Sequence, residues 1–223
     1  MGYQYRKRTE NFAISVSPIL FSFMRFNTVE GLSPEIYATI QRTYENKPNL
    51  SFKPFIRYGF SNDHLNGGFS IERNPWKISG GRDVKQFDEE EQISEFMNTS
   101  YTLFDGLNFM KIYEKTYADV SFSKEIGNGW FPSISVSWSN RSPLQNTTDY
   151  AFIKDEEKSF TPNVPQHPYF QGQNSFREHQ AFMVNAGLEI KPGMKYMTVK
   201  GEKVNLGTDF PTIQLNYKRA VHD

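Results

Sequence analysis

Residues 133–139 read Ser-Ile-Ser-Val-Ser-Trp-Ser, a serine at every second position with Ile134, Val136 and Trp138 between. A β-strand turns successive side chains to opposite faces, so this run has one wholly small, polar face and one wholly apolar face. At helical spacing the two sets would mix on every side. The same texture recurs along most of the chain in runs of about ten residues divided by turn signals, the length and pattern of a strand that crosses a bilayer. It equally suits a soluble sheet whose apolar face meets a core.

Ile36, Ala38 and Ile40 alternate with Tyr37, Thr39 and Gln41. Beyond the turn residues Asn46-Lys47-Pro48-Asn49, Leu50, Phe52, Pro54, Ile56 and Tyr58 alternate with Ser51, Lys53, Phe55 and Arg57. Ser61-Asn62-Asp63 reverses the chain, and Leu65, Phe69 and Ile71 carry the pattern past Gly67-Gly68, which predicts a meander with tight connections. Ala118, Val120 and Phe122 precede Gly127-Asn128-Gly129, where Asn and Gly tolerate the positive φ of a hairpin turn. Phe182, Val184, Ala186, Leu188 and Ile190 form another run, ended by Pro192-Gly193; Ile213, Leu215 and Tyr217 form the last. The segment from Phe12 to Met24 fits a strand, a short helix or a surface-lying stretch. Residues 73–110 and 142–176 read as two long irregular excursions, the first with a short helix near 92–98. The expected fold is all-β: an antiparallel meander of roughly eight strands forming part of a transmembrane β-barrel, with short turns and two long excursions. Residues 1–223 read as a single barrel segment.

Composition narrows the function classes. Lys plus Arg equals Asp plus Glu at 25 each, so no net basic field exists to gather nucleic acid. No apolar run approaches the roughly 20 residues of a spanning helix. Mean hydropathy is −0.63, which a membrane barrel allows because only alternate residues face lipid. Aromatic residues make up 16% of the chain; they favour strands and, in barrels, form girdles at the membrane interfaces. Cysteine is absent, which excludes disulfides, thiolate metal sites and a cysteine nucleophile. The N-terminal Met-Gly-Tyr-Gln-Tyr-Arg-Lys-Arg has basic residues with no apolar stretch directly behind them, so it does not read as a secretory signal.

No constellation converges on a reaction. His64, His167, His179 and His222 lack ligand spacing. Asp88-Glu89-Glu90-Glu91 lacks the interleaved small residues and fixed glycine of a calcium loop. Ser79-Gly80-Gly81-Arg82 lacks the Lys-Ser/Thr that completes a phosphate loop, and its glycines read as a bulge or tight bend. Asp149, Asp155, Glu156 and Glu157 could serve as paired carboxylates only if two of them met at one centre, and nothing aims them there. Asn146-Thr147-Thr148 matches the short glycosylation pattern, and Tyr169 to Asn174 reads as a contact surface for glycan or protein, or as a segment packed on its own barrel mouth. Catalytic, cofactor and metal residues are therefore expected to be none.

Several runs, in order, resemble a known family: Phe26-Asn27-Thr28-Val29-Glu30-Gly31, Arg57-Tyr58-Gly59-Phe60-Ser61-Asn62, Ser79 through Phe87, Tyr101-Thr102-Leu103-Phe104, Asn108 through Lys115, Arg141 through Asp149, Glu178-His179-Gln180-Ala181 and Gly193-Met194-Lys195-Tyr196. Together they resemble the Gram-negative outer-membrane barrel family of unknown function whose members carry an N-terminal carboxypeptidase-regulatory-like domain. The resemblance implies an outer-membrane location, a preceding periplasmic β-sandwich domain and no catalytic residues. Against members that are longer at both ends, this chain looks like an internal fragment of the barrel.

The leading expectation is a non-enzymatic outer-membrane barrel segment acting as pore, scaffold or partner platform. Ile134, Val136, Trp138, Phe182, Val184 and Leu188 would meet lipid, and Ser133, Ser135, Ser137, Asn185, Glu189, Gln214 and Asn216 would line the lumen. Its partners would be outer-membrane lipid and another envelope protein or a surface glycan, with no cofactor. The rival is a soluble β-sandwich or surface module that binds glycan or protein.

Overall fold

A computed structural model of the chain describes residues 2–7, 9, 11–19, 23–45, 47–88, 92–153, 159–164, 176–199 and 202–221. In chain order its strands are β1 (Tyr3–Lys7), β2 (Phe12–Val16), β3 (Phe26–Asn27), β4 (Gly31–Leu32), β5 (Glu35–Arg42), β6 (Leu50–Gly59), β7 (His64–Arg73), β8 (Trp76–Gln86), β9 (Ile112–Ser123), β10 (Trp130–Pro143), β11 (His179–Ile190), β12 (Lys195–Val199), β13 (Glu202–Gly207) and β14 (Ile213–Val221). A short helix, α1 (Glu95–Ser100), runs into a π-helical turn, Tyr101–Asp105, ended by Gly106 at φ 64°. Ten strands make one antiparallel sheet in the order β1-β2-β5-β6-β7-β8-β9-β10-β11-β14, while β3-β4 and β12-β13 are separate two-stranded ribbons.

Register sorts polarity across the whole sheet. Tyr5, Ile14, Ile40, Phe52, Ile71, Ile78, Val120, Val136, Val184 and Arg219 stand directly opposite one another from β1 to β14, and all but the last are apolar or aromatic. One position along, the row is Arg6, Ala13, Gln41, Ser51, Glu72, Lys77, Ser121, Ser135, Asn185 and Lys218. Paired residues share a face, so the two rows lie on opposite sides of the sheet. Side chains on the polar face also bond across strands: Asn185 Nδ2 donates to Ser135 Oγ at 3.1 Å and Gln214 Nε2 to Glu189 Oε2 at 2.9 Å.

Burial runs opposite to that of a soluble domain. Glu30 (0% exposed), Asn66 (1%) and Arg57 (3%) are buried, while Ile78 (44%), Ile134 (48%) and Trp76 (52%) stand open. On β10, Ile134 is exposed and Val136 and Trp138 are partly exposed, so the apolar side is not a dry interior, while the serine side runs from exposed Ser133 to buried Ser139. Among the described residues no second sheet covers the apolar face, as a sandwich would require. The buried apolar cluster is small: Val29, Val84, Met110 and Ile112, with Leu144 packed against it.

The two ends of the sheet differ. At one end β5 meets β6, β7 meets β8 and β9 meets β10 through short turns, and the β12–β13 ribbon lies between β11 and β14. At the other end lie a tight β6–β7 turn and three excursions: residues 17–34, 87–111 and 144–178.

Several sequence expectations change here. Residues 73–110 are not one irregular excursion, because β8 occupies Trp76–Gln86. Trp76, Ile78 and Val84 do alternate with Lys77, Ser79 and Lys85, but Gly80-Gly81 and Arg82 interrupt the apolar series. Residues 17–34 form a third excursion, with β2 before it. The basic N-terminal stretch is an edge strand, and the short helix lies at Glu95–Ser100 rather than 92–98.

Gly80-Gly81 makes no bulge, since the pairing with β7 stays regular, and serves instead as a place where two backbones approach closely. Gly81 has φ 150° and sits opposite Gly68, where a Cβ would fall on the Gly67 carbonyl and the Gly68 backbone. A Cβ on Gly68 would come within 2.8 Å of the Phe55 ring. Gly81→Ala is expected to lower stability by about 1–3 kcal/mol, the cost of a strained backbone conformation. Urea titration in micelles checks this against Ser121→Ala, for which no comparable loss is expected.

Candidate functional site

The three excursions close over their end of the sheet as a cap fastened by charges and amides. Its centre is built locally. Asn27 Oδ1 accepts from the backbone N–H of Val29 at 2.9 Å and of Glu30 at 2.8 Å, an Asx turn that Gly31 completes at φ 65°. The Asn27 Nδ2 donates to Glu30 Oε2 at 2.8 Å, so the Glu30 carboxylate is aimed before it meets its cation.

That cation is Arg57, on the polar face of β6. Its Nε donates to Glu30 Oε1 at 2.9 Å and its Nη2 to Glu30 Oε2, a bidentate pair. The third arm, Nη1, lies 3.4 Å from Glu95 Oε1 and 3.5 Å from Glu35 Oε2. Arg25 bridges the same two acids, Nη1 to Glu35 and Nε to Glu95. The cluster thus joins the sheet through Arg57 and Glu35, the first excursion through Arg25 and Glu30, and the second through Glu95. Glu95 also stands in the first turn of α1, where a negative charge suits the helix dipole.

Neutral side chains bring in the third excursion. Thr147 and Thr148 donate their backbone N–H groups to the Thr28 carbonyl at 2.9 and 3.2 Å. Asn108 Nδ2 donates to Thr28 Oγ1, which donates to Asn146 Oδ1, both at 2.7 Å. Asn163 Oδ1 accepts from the Ile112 N–H at 2.9 Å, and its Nδ2 donates to the Ile112 and Leu144 carbonyls at 2.7 and 2.8 Å. Asn98 Oδ1 accepts from the Met110 N–H at 3.0 Å.

On the cap lies an apolar pocket of ≈ 600 Å³, within the usual range for a small-molecule site. Phe26, Leu32, Phe96, Leu103, Phe104 and Phe152 are among its walls. Its polar neighbours are already engaged: Arg25 with Glu35 and Glu95, Thr99 Oγ1 with the Phe26 N–H and the Glu95 carbonyl, and Ser100 Oγ with the Phe96 carbonyl. A sugar would find few partners there.

The sequence candidates do not assemble. His64 Nε2 lies 2.8 Å from Glu114 Oε2, whose other oxygen accepts from Arg82 Nη2 at 2.6 Å. The His179 ring packs edge-on to Phe176. Asn146 of the glycosylation pattern donates its amide to the Thr161 carbonyl at 3.0 Å, so it serves as a cap fastener. Ser79-Gly80-Gly81-Arg82 lies within β8. Glu89, Glu90, Glu91, Asp155, Glu156, Glu157, His167, His222 and Tyr169 to Asn174 lie outside the described residues. Among the described residues no three His, Asp or Glu side chains gather to hold a metal ion. The sequence reading missed the Arg57–Glu30 pair. Its one local signal was the Asx-turn spelling Asn27-Thr28-Val29-Glu30-Gly31.

Residues 1–223 match the model described as "Family of unknown function (DUF5686) C-terminal domain". No curated protein and no solved structure matches the chain.

Two outcomes follow from the cap. Arg57→Met leaves Glu30 buried without its cation and is expected to cost about 3–5 kcal/mol. The double variant Arg57→Met/Glu30→Gln is expected to lose less. Urea unfolding of both proteins checks the coupling, and an equal loss would mean the two side chains act separately. Lys111, whose Nζ donates to Thr161 Oγ1 at 2.7 Å, has its ammonium pushed down to about 8 by burial. The unfolded chain holds that proton to about pH 10.4, so stability is expected to rise with pH between the two values. Titration of ¹³C-methylated lysines by NMR should show Lys111 changing near pH 8 and ahead of the exposed lysines.

Proposed function

The chain belongs to that family of unknown function, and from this premise we propose that it forms the wall of a non-enzymatic β-barrel in the outer membrane of a Gram-negative bacterium. The observation that carries the reading is the inversion of burial. An apolar row crosses nine adjacent strands and stays open, while charges and amides are buried on the other side or at its end. Contiguous apolar surface of that extent marks an interface with a partner or with lipid. Lipid suits it because the surface is a belt along the sheet rather than a local patch.

Strand length and direction support the same reading. Strands β6 and β7 have 10 residues each, β8 has 11, and β9 and β11 have 12, close to the 9–11 that a tilted strand needs to cross a bilayer. The edges β1 and β14 run in opposite directions, the sense that antiparallel closure uses. Apart from the β12–β13 ribbon, short turns at one end and long excursions at the other resemble the outer-membrane asymmetry, in which the cap would lie on the extracellular side. A fastened cap favours a scaffold or platform over an open channel. The apolar pocket, with its polar neighbours engaged, favours an envelope protein over a surface glycan as the cap's partner.

Ile78→Arg tests the reading. At a bilayer midplane arginine costs about 2–4 kcal/mol, whereas on a water-facing surface the change stays within about 0.5 kcal/mol. The expected result is a large loss of stability in lipid vesicles for Ile78→Arg and a small one for Ser133→Arg on the opposite face. A chain that stays monodisperse in plain buffer and tolerates both changes is instead the soluble surface module.

A further inference from the structure

Three neighbouring strands place basic side chains side by side on the polar face. Arg141 of β10 stands directly opposite Lys115 of β9 and directly opposite His179 of β11. Lys115 and Arg141 carry like charges directly opposite one another, an arrangement that repels and that an anion would relieve. Asp83 stands opposite Lys115 on β8, but its carboxylate is engaged by Lys85 Nζ at 2.6 Å and by the Val84 N–H at 2.8 Å. Among the described residues no carboxylate lies within ion-pair distance of Lys115, Arg141 or His179. Their close neighbours are rings: the Arg141 guanidinium lies 5.5 Å from the Tyr113 ring centre, and Lys115 Nζ 5.8 Å from that of Tyr117.

A second observation points to the same spot. Ser139, the next residue on this face of β10, is 2% exposed, and among the described residues its hydroxyl has no hydrogen-bond partner. The Arg141 Nε is also buried with no partner among the described residues. A buried hydroxyl and a buried guanidinium N–H left unpaired beside Lys115, whose charge also acts on Asp119 further along β9, are donors that an anion can use.

We propose that Ser139, Lys115, Arg141 and His179 form a binding site for a phosphate group on the polar face of the sheet. A phosphate fits better than a carboxylate. Its terminal oxygens can take the arginine fork, the lysine ammonium and the serine hydroxyl together, and its second charge answers the second cation. The His179 Nδ1 is held by the Arg177 carbonyl at 3.1 Å, so Nε2 is the ring nitrogen left to meet an anion. The site draws only on the polar face, so it does not depend on what meets the apolar one.

The test uses the full chain in maltoside micelles, which contain no phosphate. Inorganic phosphate is titrated by calorimetry, with acetate as the comparison anion. In a second arm, short-chain phosphatidic acid is compared with the matching diacylglycerol in the same micelles. Saturable binding of inorganic phosphate supports a site for a soluble phosphate. Binding of phosphatidic acid alone, without diacylglycerol, supports a lipid headgroup. In either case Arg141→Gln and Lys115→Gln should each weaken binding at least tenfold. Lys53→Gln, which removes a cation paired with Glu72 on the same face, should leave it unchanged. Arg141→Lys keeps the charge without the fork and should fall between. Failure of both phosphate species to bind the unaltered chain, or equal affinity in Arg141→Gln that retains its β-sheet circular dichroism, overturns the proposal.

Discussion

The sheet depends on keeping one register through every ladder. Each strand alternates with a period of two, and the rows keep apolar residues opposite apolar ones from β1 to β11, with mainly polar residues opposite one another on the other face. A slip of one residue in a single ladder would turn every side chain beyond it to the wrong face. The register therefore divides the molecule into two surfaces of opposite character, something no individual strand achieves. The glycines opposite one another on β7 and β8 let the two backbones approach closely without shifting that count, since the pairing stays regular through Gly68 and Gly81.

Cohesion then comes from unusual places. A soluble domain of this size would gather its large apolar side chains inside, yet here the buried apolar cluster is a handful of residues at the capped end. The sheet itself is held by backbone hydrogen bonds and cross-strand contacts, and the cap by charge pairs and side-chain amides. The Arg57–Glu30 pair illustrates how such a junction holds. Two buried charges are tolerable because the geometry is bidentate and Asn27 satisfies a further acceptor site of the carboxylate. Under the proposed membrane reading the apolar belt adds its share only when lipid is present, so the chain would be stable as part of a bilayer and poorly placed in water.

The alternation of Ser133 to Ser139 was enough to give the all-β class and the faces of β10, because periodicity is a local property. Runs such as Phe182 to Ile190 and Leu50 to Tyr58 were legible for the same reason. Strand β8 was hidden because glycines and an arginine fall where apolar residues would mark the pattern. Strand β1 was hidden because Arg6 and Lys7 resemble a charged terminus when the neighbouring strand is unknown. The cap was far less legible. Arg57 looks like one polar member of an alternating strand, and only the fold brings it to Glu30, 27 positions away in the chain. Lys115, Arg141 and His179 are separated by long stretches of sequence, and their adjacency exists only in the ladders.

The fasteners of the cap have a further consequence. Asn27, Asn98, Asn108 and Asn163 tie the excursions together through neutral amides, in a chain without a single cysteine. Such ties neither titrate nor exchange electrons. Reductants and oxidants therefore have no thiol or disulfide handle on this closure. The slow hydrolysis of asparagine to aspartate would act on it, placing a carboxylate where an amide now donates, so these amide ties would age by chemistry while the charge pairs beside them answer to pH.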